Sequence, residues 1–193
     1  MGLAATISVP IGAAAFSPLL AWRSPIYIAA SFAGVIAMAF LLIQPLLAGG
    51  FLPGLNTLRS RRLHRLVGGA LVAAVVIHVA GLWITSPPDV IDALLFRSPT
   101  PFSVWGVTAM WAMFAAALLA AFRRRLRLRW KTWRFAHAAL ATVTVLGSVI
   151  HAMLIEGTME WVTKAALCAL VLAATARTLA DLRPRQVTHR RGT

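Results

Sequence analysis

The sequence predicts an all-α fold, a polytopic membrane helical bundle with six transmembrane helices. Of its 193 residues, 60% are hydrophobic and only 12% are charged, whereas a soluble domain carries about 25% charged residues. The apolar residues also form runs long enough to cross a bilayer, which takes roughly 20 residues per helix. Because so small a globule has too little interior to hide this apolar surface, we expect the outside of the bundle to contact the lipid bilayer.

Six apolar stretches are the predicted spans. They are residues 2–22, 26–48, 63–85, 103–122, 135–155 and 162–179. The first stretch contains Pro10 and Pro18, and a cleaved signal peptide or an interfacial segment is the alternative to a distorted span. It lacks the positively charged start that a signal peptide needs. We therefore expect residues 1–182 to form one membrane domain, followed by a short basic tail at 183–193.

The distribution of charge predicts the orientation. Clusters of Arg and Lys open the third span, separate the fourth from the fifth and follow the sixth. With six spans these clusters share one side, which the positive-inside rule makes the cytoplasm. We therefore expect cytoplasmic termini and a location in a bacterial inner (plasma) membrane. A nucleic-acid binder could share the net charge of +14, but its basic residues would cover one solvated face, so we expect no nucleic-acid partner.

Four histidines lie inside the predicted spans, two in the third and two in the fifth. They are His64, His78, His137 and His151. The two histidines of each span are 14 residues apart, a separation that places them on one helix face and about 21 Å apart along the axis. One then lies near each leaflet of a hydrocarbon core about 30 Å thick. Because the two spans run in the same direction, His64 should face His137 near the cytoplasm, and His78 should face His151 near the outside.

Two histidines that face each other at one depth can ligate a haem iron from both sides, and such an iron transfers electrons. The absence of a Cys-x-x-Cys-His motif favours b-type haem. Three glycines on these spans leave room either for a flat macrocycle or for close helix packing. They are Gly68, Gly69 and Gly147. Four arginines at the cytoplasmic surface either pair with haem propionates or set the topology. They are Arg61, Arg62, Arg65 and Arg134.

Two alternatives use the same spans without haem. A histidine-lined metal-ion transporter would gather its ligands at one depth, usually with carboxylates, and no Asp or Glu occurs inside these spans. A structural membrane subunit of a larger complex is the other alternative. A visible spectrum of the purified protein separates all three hypotheses.

A His-x13-His pair in each of the third and fifth of six spans resembles the ferric reductase-like transmembrane family. That family includes the membrane domains of NADPH oxidases, yeast ferric reductases and the haem-binding membrane subunit of bacterial methionine sulfoxide reductase. The resemblance implies that the four histidines hold two haem b groups, and that electrons enter from the cytoplasm. It also implies that the chain is the electron-transferring component of an oxidoreductase.

One departure from the family concerns the electron donor. Eukaryotic relatives continue into a flavin- and NADPH-binding domain, whereas no Gly-rich dinucleotide fingerprint follows a strand in this sequence. We therefore expect a separate cytoplasmic flavin reductase, or a quinol, to supply electrons. The acceptor on the outer side is not specified by any motif.

Overall fold

Helices are the regular secondary structure of the described part of the chain. In the computed structural model the described residues are Ser8, Gly12, Ala14, Phe16, 18–157 and 159–181. No strand occurs among them, and five of their helices are long and apolar enough to cross a membrane. The all-α membrane bundle is therefore confirmed. The predicted count of six spans is not, because most of residues 2–22 lies outside the described part, as does the tail at 183–193.

Seven α-helices follow a short 3-10 turn at Pro18–Leu20. They are α1 (Pro25–Gly49), α2 (Thr57–Thr85), α3 (Pro87–Leu94), α4 (Pro101–Ala121), α5 (Arg123–Leu126), α6 (Trp130–Leu154) and α7 (Trp161–Asp181). The five long helices are the candidate spans. The short helices α3 and α5 lie in the connections on either side of α4.

Two of the long helices begin earlier than the apolar runs predicted. Helix α2 starts at Thr57 and α6 at Trp130, and the added turns carry arginines. Asn56 caps α2, since its side-chain oxygen accepts a hydrogen bond from the backbone N–H of Arg59 at 2.9 Å. Hydropathy marks only the hydrocarbon core, whereas a helix can continue into the headgroup region, where Arg is favourable.

The connection predicted as an external loop, residues 86–102, is partly helical. Helix α3 begins with two prolines and has Asp89 in its first turn, two features that favour a helix start. The hydroxyl of Ser86 donates a hydrogen bond to the Asp89 carboxylate at 2.5 Å. Val90 is buried, so α3 packs over the end of the bundle.

Two antiparallel hairpins form the body of the bundle: α1 packs against α2, and α4 packs against α6. Helix α7 packs against both α1 and α6. The hydroxyl of Thr178 ties α7 to α1 by donating a hydrogen bond to the Pro45 carbonyl at 2.9 Å. Helices α2 and α6 are not a closely packed pair, which leaves space between the two helices that carry the histidines.

The two ends of the bundle differ in charge. The arginines at the starts of α2 and α6 and after α4 lie at one end, called here the basic end, where α7 also places Arg177. The opposite end, called the acidic end, carries four carboxylates: Asp89, Asp92, Glu156 and Glu160. The described arginine clusters thus share one side of the bundle, as the sequence predicted.

Candidate functional site

The first histidine pair lies near the basic end. The ring centroids of His64 on α2 and His137 on α6 are 6.4 Å apart, with the ring planes at 71°. Nδ1 of His64 is 3.3 Å from the carbonyl oxygen of Gln44 on α1. His137 stacks on Trp133, with ring centroids 5.4 Å apart and planes at 9°. The bundle therefore brings together two imidazoles from helices that do not otherwise pack closely.

The second histidine pair lies near the acidic end. His78 on α2 and His151 on α6 line one cavity of about 600 Å³. Nδ1 of His78 is 2.8 Å from the carbonyl oxygen of Ala30, and Nδ1 of His151 is 2.8 Å from that of Phe102. A carbonyl oxygen can only accept a hydrogen bond, so each Nδ1 donates one. In a neutral imidazole, Nε2 is then the unprotonated nitrogen, which is free to bind a metal.

The carbonyls that face the histidines repeat with the same spacing as the histidines themselves. Ala30 and Gln44 on α1 are 14 residues apart, as are Phe102 and Ala116 on α4. The Ala116 carbonyl lies near the His137 imidazole, whose Nδ1 completes no hydrogen bond among the described residues. Helix α1 therefore presents backbone carbonyls to the histidines of α2, as α4 does to the histidines of α6. Equivalent residues of the two hairpins are 72 or 73 positions apart.

Two glycines make room for the acidic-end histidines. A Cβ atom on Gly34 would lie 3.1 Å from Nδ1 of His78, and one on Gly106 would lie 2.6 Å from Nδ1 of His151. The glycines and the carbonyls were not predicted from the sequence. One signal was available for the glycines, because Gly34 and Gly106 are 72 residues apart, close to the offset between the histidine pairs.

The three glycines singled out from the sequence have different surroundings. A Cβ on Gly147 would lie 2.9 Å from the Trp105 carbonyl oxygen, so this glycine allows α6 to pack closely on α4. A Cβ on Gly68 would lie 3.1 Å from the side-chain nitrogen of Gln44, whereas one on Gly69 would meet nothing within 4 Å. Close helix packing is therefore the role of Gly147.

The four candidate arginines lie on helices at the basic end. They are Arg61, Arg62, Arg65 and Arg134. The three on α2 are exposed, whereas Arg134 on α6 is half-buried. Arg61 precedes His64 by three residues, as Arg134 precedes His137, so each projects about 60° around the helix from its histidine. Arg62, two residues before His64, projects about 160° away. Arg61 and Arg134 are thus equivalent in the two hairpins.

The described part of the chain contains no group of three or more His, Cys, Asp or Glu side chains that could hold a metal ion. In that part, His64 lies beside His137, and His78 and His151 line one cavity. A transporter site that gathers its ligands at one depth does not match this arrangement.

The fold and the histidines define a class of protein: a multi-pass helical membrane protein with two histidine pairs at two depths between a pair of parallel helices. The family model described as "Ferric reductase like transmembrane component" matches residues 30–148. The chain therefore belongs to the ferric reductase-like transmembrane family, whose general role is transmembrane electron transfer. The match includes three of the four histidines and ends three residues before His151. No curated protein and no solved structure matches the chain.

Proposed function

We propose that this chain transfers electrons across a membrane through two b-type haems, one between His64 and His137 and one between His78 and His151. A haem held by these histidines would supply a one-electron iron couple. One observation carries the proposal: histidines spaced 14 residues apart on two parallel helices bring the rings of His64 and His137 to 6.4 Å and put His78 and His151 in the lining of one cavity. In this role the chain is the electron-transferring component of an oxidoreductase.

The distance between the basic-end rings supports a shared iron. Two imidazoles bound on opposite sides of one metal atom, with metal–nitrogen bonds of about 2.0 Å, have ring centroids roughly 6 Å apart. The centroids of His64 and His137 are 6.4 Å apart. T-shaped packing of aromatic rings also occurs at about 4.5–7 Å, so the stronger support is that the two imidazoles come from helices that are not closely packed.

The acidic-end cavity also suits a large flat cofactor. Its volume of about 600 Å³ lies within the range of roughly 300–1,000 Å³ for ligand sites, and most of its lining is apolar. The hydrogen bonds from His78 and His151 to backbone carbonyls fix the ring orientations and increase ligand basicity, as partners of metal-bound histidines do. These contacts support an iron-binding role for both residues.

The basic end supports the proposed direction of transfer. The positive-inside rule places this end in the cytoplasm, so His64 and His137 form the inner pair. We propose that Arg61 and Arg134, which project nearest to these histidines, bind the propionates of the inner haem, because guanidinium groups pair well with carboxylates. Residues 2–22, as a sixth span, would place both termini in the cytoplasm of a bacterial cell.

A separate cytoplasmic flavin reductase or a quinol is the proposed electron donor. The exposed arginines of the basic end would attract an acidic flavoprotein, whereas a quinol would reach the bundle from the lipid. The acceptor lies on the outer side, where α3 and the 95–100 segment border the cavity.

A visible spectrum tests the proposed function directly. Purified protein reduced with dithionite should show a low-spin b-type spectrum, and pyridine haemochrome analysis should give two haems per chain. His189→Ala is the matched control, because His189 lies in the basic tail, and this variant should keep both haems. A colourless protein that binds zinc instead would overturn the proposal in favour of the metal-ion transporter.

A further inference from the structure

Lys164 on α7 is a buried cation at the acidic end. Its side chain is 9% exposed, and it lines the same cavity as His78 and His151. It is the one Lys or Arg among the described residues that line this cavity. Its ammonium group donates a hydrogen bond to the carbonyl oxygen of Ile155 at 2.8 Å.

The contacts of Lys164 leave its charge without an anion. An ammonium group has three N–H donors, and the Ile155 carbonyl accounts for one of them. A second contact is with the ring of Trp161, whose centroid is 5.8 Å from Nζ. Within the described part of the chain, no carboxylate forms an ion pair with it. A buried charge is costly unless it is paired, so this site favours a ligand that carries negative charge.

Four carboxylates lie at this end of the bundle, but none of them forms an ion pair with Lys164 among the described residues. Asp89 also lines the cavity, but its carboxylate bonds to the Ser86 hydroxyl and forms no ion pair with Lys164 among the described contacts. Arg23 and Arg97 lie at the same end and are exposed, and neither lines the cavity. Lys164 is therefore the cation best placed to neutralise an anionic group inside the cavity.

We infer that Lys164 binds a carboxylate of the cofactor at this site, a propionate of the b-type haem held by His78 and His151. This inference rests on the proposed function. A structural role is the alternative, because a cation near the last carbonyls of α6 also stabilises the end of that helix. The two roles differ in one respect: only the first depends on the carboxylates of the haem.

Haem and its dimethyl ester distinguish the two roles. The test uses apo-protein carrying His137→Ala, so that only the acidic-end site provides two histidines. With Lys164 present, haem b should bind about tenfold or more tightly than the ester, because esterification removes one charge-assisted hydrogen bond. Lys164→Met should abolish this preference, and Lys164→Arg should retain it. The low-spin absorbance of the bound haem measures both affinities.

If the His137→Ala protein with Lys164 unchanged bound haem and its ester with equal affinity, the proposed propionate contact would be wrong. An equal fall in affinity for haem and for its ester in Lys164→Met would also overturn it, because Lys164 would then only stabilise the end of α6. Failure of the proposed function gives a different result: the protein with all four histidines would then bind neither haem nor ester as a low-spin species.

Discussion

At the scale of single residues, the two histidine pairs are held by different contacts. At the acidic end both rings donate hydrogen bonds of 2.8 Å to carbonyls. At the basic end His64 has a longer contact of 3.3 Å, and His137 is oriented by stacking on Trp133. Arg123 also contacts Trp133, with its guanidinium 4.5 Å from the ring centroid. The basic-end pair therefore depends more on aromatic packing.

The glycines beside the acidic-end histidines give the sharpest prediction at this scale. Gly106→Ala places a Cβ 2.6 Å from Nδ1 of His151, so the ring must move and its hydrogen bond to Phe102 must break. We expect haem affinity at the acidic end to fall about 10- to 100-fold, as when a partner of a metal-bound histidine is lost. Gly34→Ala, with a contact of 3.1 Å, should have a smaller effect.

Gly69→Ala is the matched control, because its Cβ would meet nothing within 4 Å. It should leave both haems unchanged and stabilise α2 by up to about 1 kcal/mol. Haem content and reduced spectra of the three purified variants measure the effect. If Gly69→Ala lost haem as readily as Gly106→Ala, crowding of the histidine ring would not be the cause.

At the scale of helices, the molecule is built from two similar hairpins. Each hairpin has a helix that supplies carbonyls and a helix that supplies histidines, and equivalent residues are 72 or 73 positions apart. His64 and His137 are each the eighth residue of their helix, and His78 and His151 are each the twenty-second. Because α2 and α6 run in the same direction, equal positions along the two helices lie at equal depths.

This parallel direction predicts which histidines share a haem. His64→Ala and His137→Ala should each remove the basic-end haem, and the double variant should lose no more than either single variant. His78→Ala and His151→Ala should remove the acidic-end haem in the same way. Redox titrations followed by visible absorbance would resolve the haem that remains. Loss of one common haem in His64→Ala and His151→Ala would mean that the pairs are crossed.

At the scale of the whole molecule, the charged ends set the orientation. Arginines gather at the basic end and carboxylates at the acidic end, and the long helices between them present large apolar side chains outward, such as Leu66, Ile77 and Trp111. This arrangement suits a bilayer that surrounds the bundle. The basic end should face the cytoplasm, because translocation of Arg and Lys across the membrane is disfavoured.

Cysteine labelling tests this orientation. With Cys168 replaced by Ala, single cysteines are introduced as Thr132→Cys at the basic end and Leu95→Cys at the acidic end, both at exposed positions. A membrane-impermeant reagent added to intact cells should label the cysteine at position 95 and not that at 132. Permeabilised cells, in which both should react, provide the control. The reverse pattern in intact cells would invert the orientation and the direction of electron transfer.

The basic end also predicts how a flavoprotein donor would dock. Arg124→Gln combined with Arg125→Gln removes two exposed charges but keeps Arg123, which lies over Trp130 and Trp133. We expect haem reduction by NADH and a flavin reductase to slow on the order of tenfold at low salt, since opposite charges accelerate association. High ionic strength should remove the difference.

Arg97→Gln removes an arginine at the acidic end and should not change the rate of reduction. Stopped-flow absorbance of the haems in membranes measures each rate. If the rate of haem reduction by the flavin reductase depends neither on salt nor on the arginines, while quinol reduces the haems readily, the donor is a quinol rather than a flavoprotein.

Local patterns in the sequence determined the main features of this protein. Apolar runs of about 20 residues mark a spanning helix, because every backbone polar group in lipid must be satisfied within the helix. The spacing of 14 residues between His64 and His78 and between His137 and His151 fixes a shared face through helix geometry alone. The family resemblance rested on these same histidines, and the match over residues 30–148 confirms it.

Only the tertiary structure decided what surrounds the histidines. His78 meets the Ala30 carbonyl across 48 residues, and His151 meets the Phe102 carbonyl across 49. A backbone carbonyl has no side-chain signature, so no residue type in the sequence marks these partners. Gly34, Gly106 and Lys164 acquire their roles in the same way, because the packing of α1, α4 and α7 brings them to the cavity. Helix periodicity is a local property of the chain, whereas contacts between helices depend on how the whole bundle packs.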